Sequence, residues 1–277
     1  MVSIENLNFN YSRNIVFKEI NLSLESGKIY GLLGQNGVGK TTLLKILGGY
    51  LKIKSGNCNV MGYAPFSRNP KFLERVFFVP EDFIAPDMVI NEYARLRGEF
   101  YPKYDGLKFS KLITEFEVNG DSKFNKLSYG QQKKVIIAFA LSVNADLILM
   151  DEPSNGLDIP SKSQLRKIIS EASSDESCII ISTHQVRDLE NLIDPIIILD
   201  KNGVLLNESI ERISEELNFS FRGAAQSDAL YCETTPGGYL VVERNINNSE
   251  SKVNIEALFN ATLQNKSQIK EIFSTNK

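Results

Sequence analysis

The feature that most constrains the fold is the glycine-rich stretch at residues 34–41, which reads GQNGVGKT. It matches the pattern G-x-x-x-x-G-K-[ST] and lies between a strand-like run, IYGLL, and a helix-like run, TTLLKIL. In that context the glycines let backbone N–H groups close around a phosphate, Lys40 reaches the outer phosphate oxygens and the Thr41 hydroxyl can bind Mg²⁺. The stretch therefore predicts a strand–loop–helix unit that binds a nucleotide, and it leaves kinases, GTPases and transporters open.

Composition narrows the class of protein. The chain has 277 residues, 42% of them hydrophobic, which is enough for a sizeable core and for more than one compact unit. Its net charge of −3 argues against a basic face for nucleic acid, so we expect no nucleic-acid partner. Three well-separated cysteines match no metal spacing and fit a reducing compartment. Because neither a signal peptide nor a bilayer-spanning run is visible, we expect a cytoplasmic chain that reaches a membrane only through a partner.

The order of apolar runs predicts an α/β fold with a mostly parallel core sheet. Residues 2–33 alternate strand-like runs with turns, as an N-terminal antiparallel β subdomain leading into a core strand would. Residues 82–126 change to helical spacing, with apolar residues at intervals of three and four, which indicates a helical subdomain. After these, the apolar runs LILMD and CIIIST alternate with helical patterns, as buried parallel strands do.

The core pattern ends near residue 207. The run IIILDKNGVLL predicts a hairpin with its turn at Asn202 and Gly203. Beyond it, a helical ESIERISEEL, a hairpin-like ALYCETTPGGYLVVER and an amphipathic VNIEALFNATL indicate a small α+β extension. We therefore divide the chain into a nucleotide-binding unit at 1–207 and a C-terminal extension at 208–277.

Three polar residues follow two of the buried strands. In LILMDEP, four apolar residues bring Asp151 to the carboxyl end of a strand, where ligands gather in open α/β sheets. Asp151 is predicted to support the Mg²⁺ shell, and Glu152 to orient a water for in-line attack on the γ-phosphate. His184, the only histidine, ends CIIISTH and should emerge at the same edge, where an imidazole can contact the γ-phosphate.

The stretch NKLSYGQQKK at residues 125–134 is a second, incomplete phosphate site. It has a serine and a glycine directly before an apolar helical run, and the free N–H groups of a helix start suit an anion. No lysine corresponding to Lys40 accompanies it.

The segments GQNGVGKTT, LSYGQQ, LILMDEP, SNGLD and STH, in this order, resemble the ATP-binding cassette (ABC) family over about residues 2–206. The resemblance implies an ATPase subunit of a transporter that uses ATP and Mg²⁺. It implies a homodimer that sandwiches two ATP molecules and drives a permease on a separate chain, docked on residues 82–126. It makes Tyr11 the aromatic that stacks on adenine, with a buried strand-end tyrosine as the alternative. The remaining nucleotide contacts it implies are Gly34, Asn36, Gly37, Gly39, Thr42 and, across the dimer, Ser128, Gly130 and Gln131.

Two residues depart from the family's usual pattern. Tyr129 stands where the signature usually has glycine, and it would carry strain if its φ were positive. Glu81 follows the strand RVFFVP where the family usually has glutamine, which makes the predicted metal ligands Thr41, Asp151 and Glu81. The Pro-Glu pair, YPKYD and VNIEALF resemble ABC-2 exporters. The alternatives are a soluble ABC-type ATPase acting on ribosomes or DNA, and a regulatory module without hydrolysis.

Overall fold

The computed structural model describes residues 1–201, 203–226 and 228–274, and it arranges their strands in three sheets. The strands are β1 (Val2–Tyr11), β2 (Asn14–Leu24), β3 (Lys28–Gly34), β4 (Ser55–Val60), β5 (Val76–Val79), β6 (Leu147–Asp151), β7 (Cys178–Thr183), β8 (Ile196–Asp200), β9 (Gly203–Glu208), β10 (Leu217–Arg222), β11 (Tyr231–Thr235) and β12 (Gly238–Arg244). The helices are α1 (Lys40–Leu47), α2 (Pro70–Leu73), α3 (Ile90–Gly98), α4 (Gly106–Glu115), α5 (Tyr129–Ser142), α6 (Ile159–Ala172), α7 (Ile210–Glu216), α8 (Ile255–Gln264) and α9 (Lys266–Ser274).

The N-terminal sheet has the order β2-β1-β4 and is antiparallel throughout. In β1, Val2, Ile4, Leu7 and Phe9 are buried while most residues between them are exposed or half-buried. This near-alternation places one face of the sheet on the core, as a period of two residues requires. The predicted antiparallel subdomain is therefore confirmed.

The core sheet has the order β5-β6-β7-β3-β8-β9. Its first five strands are parallel, and β9 returns antiparallel to β8. Every residue of β6, β7 and β8 is buried, because helices or the N-terminal sheet cover both faces. The mostly parallel sheet and the β8–β9 hairpin agree with the sequence, although Asn202 in the predicted turn lies outside the described residues.

The helical subdomain consists of α3 and α4, which pack on α5 around the fully buried ring of Phe139. Asp146, just before β6, ties this subdomain to the core. It accepts a hydrogen bond from Lys103 at 2.7 Å and another from Arg75. Burial alone would raise the pKa of Asp146, but these two cations hold the pKa below its ordinary value.

The C-terminal extension contains a sheet of order β10-β12-β11 with α7, α8 and α9. Buried residues of α8 and α9 join the same hydrophobic cluster as the core strands. Two ion pairs fasten the extension: Lys266 to Asp200 at 2.5 Å and Arg187 to Glu256 at 2.7 Å. The division of the chain after residue 207 stays a prediction. Among the described residues, no helix is long and apolar enough to cross a membrane.

Candidate functional site

The phosphate loop joins the end of β3 to the start of α1. Gly37 and Gly39 have φ values of 81° and 110°, in the left-handed region that favours glycine. A Cβ at Gly39 would also lie 2.8 Å from the ring of Phe17, so only glycine fits there. The ammonium group of Lys40 donates a hydrogen bond to the carbonyl of Gly34 at 2.8 Å, so the loop closes around its own lysine. Burial lowers the pKa of Lys40, and the nearby carboxylate of Glu152 opposes that shift.

Asp151 lies behind the loop at the end of β6 and is 2% exposed. Its Oδ2 accepts a hydrogen bond from Thr41 Oγ1 at 2.6 Å, and its Oδ1 accepts one from Ser182 Oγ at 2.5 Å. Asp151 therefore reaches the cleft through the Thr41 hydroxyl rather than directly. Ser182 was not predicted from the sequence, although it stands out as a polar residue inside the otherwise apolar strand CIIIST.

Glu152 is the buried carboxylate that faces the loop. Its Oε1 lies 2.8 Å from His184 Nδ1 and 3.8 Å from Lys40 Nζ. Its backbone is held by Ser182, whose hydroxyl accepts from the Glu152 N–H at 3.1 Å. The structure thus brings together the predicted base, histidine and lysine, which lie in the segments that follow the neighbouring strands β6, β7 and β3.

Glu81 approaches the same site from the end of β5. Its Oε1 accepts a hydrogen bond from Asn155 Nδ2 at 2.9 Å. Thr41 and Glu81 thus line the same cleft, and the Thr41 hydroxyl is hydrogen-bonded to Asp151. The described residues contain no group of three or more side chains able to hold a metal by themselves. A partial oxygen set of this kind fits Mg²⁺, which takes one or two protein ligands plus phosphate oxygens.

Apart from Asp151 and Ser182, these side chains line one cleft of about 1000 Å³. Of the predicted contacts, its walls include Tyr11, Asn36, Gly37, Gly39, Lys40, Thr41, Thr42, Glu81, Glu152 and His184. Tyr11 is half exposed and meets Phe9 edge to face at 4.9 Å. Six more lining residues were not predicted: Asn14, Ile15, Val16, Val38, Asn155 and Lys201.

The predicted signature residues do not line this cleft. Ser128 caps α5, with its hydroxyl accepting from the Gln131 N–H at 3.3 Å, while the Gln131 side chain accepts from the Ser128 N–H. Gly130 lies in the first helical turn beside them. Within one chain, these residues and Lys40 therefore belong to different surfaces.

Tyr129 is the first residue of α5 and its φ is not positive, so the backbone strain considered for it is absent. Its hydroxyl donates to the carbonyl oxygen of Glu81 at 2.6 Å. Its ring stacks on that of Phe83 at 6.2 Å. The side chain thus turns back toward its own chain.

Comparisons with known proteins agree with this geometry. A family model described as ABC transporter matches residues 17–155, about half of the chain. An uncharacterized ABC transporter ATP-binding protein of Methanocaldococcus jannaschii is 34% identical over 79% of this chain and 81% of its own length. The Nod factor export ATP-binding protein I of Cupriavidus metallidurans is 29% identical over 72% of this chain and 68% of its own length.

Solved structures show the same fold. The structure of an ATP-binding subunit of an ABC transporter has a TM-score of 0.71 at 23% identity, covering 77% of this chain and 91% of that one. A dimeric ATP-binding cassette in a post-hydrolysis state, bound to ADP and Pi, has a TM-score of 0.66 at 23% identity, covering 76% and 98%. The chain therefore belongs to the ABC transporter family, as an ATP-hydrolysing, nucleotide-binding subunit of a transporter.

Proposed function

We propose that two copies of this subunit sandwich two ATP molecules and drive an exporter permease carried on a separate chain. One observation carries the proposal: Ser128, Gly130 and Gln131 form a capped helix start outside the cleft that Lys40 lines. Such a start suits an anion, yet it has no lysine of its own. A two-fold axis would bring it over the cleft of a second copy, in an isologous interface where each half-site completes the other.

Within each cleft, Glu152 is the group that supports hydrolysis. Held by His184 at 2.8 Å, its carboxylate orients a water toward the γ-phosphorus and takes a proton from it. The new bond from water oxygen to phosphorus forms as the bond to the β–γ bridging oxygen breaks, and ADP leaves. Lys40 stabilises the charge on the outer phosphate oxygens, and His184 contacts the γ-phosphate and responds to its loss.

Mg²⁺ is the second cofactor of this proposal, with Thr41, Asp151 and Glu81 as its protein oxygens. It would neutralise charge on the β- and γ-phosphates. A carboxylate at position 81 repels the γ-phosphate unless a cation screens it, so Glu81→Gln should shift the Mg²⁺ dependence of turnover. Unchanged Mg²⁺ dependence and unchanged turnover would remove Glu81 from the metal site.

An exposed apolar groove beside the helical subdomain supports the permease as partner. This docking groove has a volume of about 680 Å³ and includes Phe83, Ile84 and Phe100, the last two 97% and 71% exposed. Lys45 and Arg97 add positive charge to its wall. We propose that this groove binds a cytoplasmic helix of the permease that has an apolar face and an acidic residue. Because Phe83 is two residues from Glu81, movement of that helix would reach the nucleotide site.

The dimer is tested with Glu152→Gln, which should bind ATP without turnover. Gel filtration at saturating Mg-ATP should give a dimer, and the same variant without nucleotide gives the reference. The double variant with Lys40→Ala should stay monomeric because it loses the phosphate contact. A monomer of Glu152→Gln with bound ATP would remove the sandwich mechanism.

The permease is tested by purification from membranes. We expect a multi-span protein to copurify, Ile84→Asp to abolish this, and Phe221→Asp, at another exposed site outside the groove, to leave it unchanged. A preparation of the subunit from membranes that contains no multi-span protein would refute the permease and reopen the alternative of a soluble ATPase.

The permease would hold the subunit on the inner face of the cell membrane. Export rests on the Nod factor export relative and the ABC-2 resemblance, and transport in inside-out vesicles tests its direction.

A further inference from the structure

We propose that Tyr129 and Lys133 are positioning residues that bond the start of α5 to the chain's own Glu81 and Glu152. The start of α5, which would bind the partner's ATP, would thereby also position the hydrolytic groups of its own cleft. The part of this inference that concerns the partner rests on the proposed dimer. The bonds themselves lie within one chain.

Lys133 is a fully buried lysine in a helix whose buried positions are otherwise mostly apolar. Its ammonium group donates to the carbonyl oxygen of Glu152 at 2.6 Å and to that of Asn155 at 3.3 Å. A buried ammonium group is costly unless its donors are satisfied, so these two carbonyls fix the lysine and the lysine fixes them. Burial lowers the pKa of Lys133, and the acidic groups around it oppose that shift.

Glu152 needs such support because its backbone is unusual. Its φ is +46°, a left-handed conformation that is uncommon for residues other than glycine, and Pro153 follows it. Conformations of this kind persist only where the surroundings hold them. The Glu152 N–H is held by Ser182 and its carbonyl by Lys133, so the catalytic carboxylate is oriented from both sides.

Tyr129 lies one helical turn before Lys133, on the same face of α5. The Lys133 Nζ sits 5.6 Å from the centre of the Tyr129 ring, within reach of a cation–π interaction. The Tyr129 hydroxyl donates to the Glu81 carbonyl at 2.6 Å. On its other side, a Cβ at Gly156 would lie only 3.1 Å from the ring, so the tyrosine is wedged against the loop after β6.

Asn155 links Glu81 to Lys133. Its side-chain nitrogen donates to Glu81 Oε1 at 2.9 Å, while its carbonyl accepts from Lys133. Tyr129, Glu81, Asn155 and Lys133 therefore form a ring of contacts, which we call the α5 bracket. A shift of the start of α5, which Ser128 caps, should therefore move the Glu152 carbonyl through Lys133 and the Glu81 backbone through Tyr129.

The test compares steady-state ATPase kinetics of the full-length protein. Tyr129→Phe keeps the ring contacts and loses the hydroxyl's hydrogen bonds, the one to the Glu81 carbonyl and a longer one to Asp82 Oδ1 at 3.4 Å, so we expect kcat to fall about tenfold with KM for ATP within twofold. Lys133→Met should lower kcat about 100-fold, and Lys133→Arg should recover most of that loss. Lys134→Met is the matched control, because the neighbouring lysine lies 3.5 Å from the Phe116 carbonyl and outside the bracket.

One further measurement separates positioning from dimer formation. In a Glu152→Gln background, Tyr129→Phe and Lys133→Met should still form the ATP-dependent dimer. A kcat within twofold of the parent for both variants would overturn the inference. So would a kcat loss that comes with weaker ATP binding or that Lys133→Arg does not rescue. If Lys133→Met does not fold, Tyr129→Phe alone decides. Failure of Glu152→Gln itself to dimerise would instead refute the proposed function. The kcat values of the Tyr129 and Lys133 variants would still test the α5 bracket.

Discussion

Replacing Phe139 should destabilise the protein more than replacing any exposed phenylalanine does. Phe139 lies on α5, is fully buried, and joins the helical subdomain to strand β5. Its ring lies 5.4–6.2 Å from the rings of Phe77, Tyr93, Tyr101, Tyr104 and Phe109.

The magnitude follows from these contacts. Aromatic pairs contribute about 0.5–1.5 kcal/mol each beyond the burial of their area. With one ring shared among five neighbours we take the low end, which gives about 2.5 kcal/mol for Phe139→Leu because leucine keeps most of the buried apolar area. Phe139→Ala also leaves a cavity, and such substitutions cost about 3–5 kcal/mol. Since native proteins have only about 5–15 kcal/mol of stability, Phe139→Ala should approach the limit of folding.

The assay is urea unfolding followed by far-UV circular dichroism, since the chain has no tryptophan to report by fluorescence. Phe139→Leu should lower the midpoint concentration with an unchanged slope. Phe221→Leu, at a side chain that is 73% exposed, is the control and should stay within about 0.5 kcal/mol of the parent. A loss for Phe139→Leu no larger than that of the control would refute the reasoning from ring contacts.

Three other substitutions test separate features. Asp146→Asn should cost about 1 kcal/mol at pH 7, because its two partner cations are partly exposed. The pKa of Asp146 is lowered on folding, so the difference from the parent should shrink as the pH drops below about 3.9 and vanish below the lower folded value; a difference at pH 3 as large as that at pH 7 in urea titrations would contradict this. Lys266→Ala should lower the melting temperature by about 2–4 °C through loss of its ion pair with Asp200, while kcat stays unchanged; calorimetry that finds no shift would show that the pair contributes nothing. Tyr11→Ala should weaken ATP binding about tenfold, as loss of one stacking contact of about 1–3 kcal/mol implies, and Tyr11→Phe should not; equal affinities in a fluorescent-nucleotide titration would remove the stacking role.

The sequence predicted an element correctly where its residue pattern is compatible with only one kind of structure. A wholly apolar run ending in two acids predicted β6 with Asp151 at its end, and the glycine pattern predicted the loop from β3 to α1. Strand β10 was missed because LNFSFR follows directly on the helical ESIERISEEL without a turn residue between them. Helix α9 was missed because KSQIKEIFS is polar except for three residues that only the folded extension buries.

The sequence predicted the motif residues of the site but not the residues that hold them in place. Lys133 follows a run of polar residues, and nothing in its position says whether its side chain points to solvent or inward. The direction of the Tyr129 side chain depends on Phe83 and Gly156, which are remote in sequence. Contacts between distant segments decide both cases, and a single sequence does not encode them as a local pattern.

The order of strands in the core sheet has a consequence for synthesis. Strand β3, which carries the phosphate loop, pairs on one side with β7 and on the other with β8. Both partners leave the ribosome well over 100 residues after the loop. At roughly 5–20 residues per second, β3 therefore waits on the order of ten seconds or more for its neighbours. A nascent chain that ends before β7 should not retain ATP, so nucleotide binding by truncated nascent chains would report the moment at which the central sheet closes.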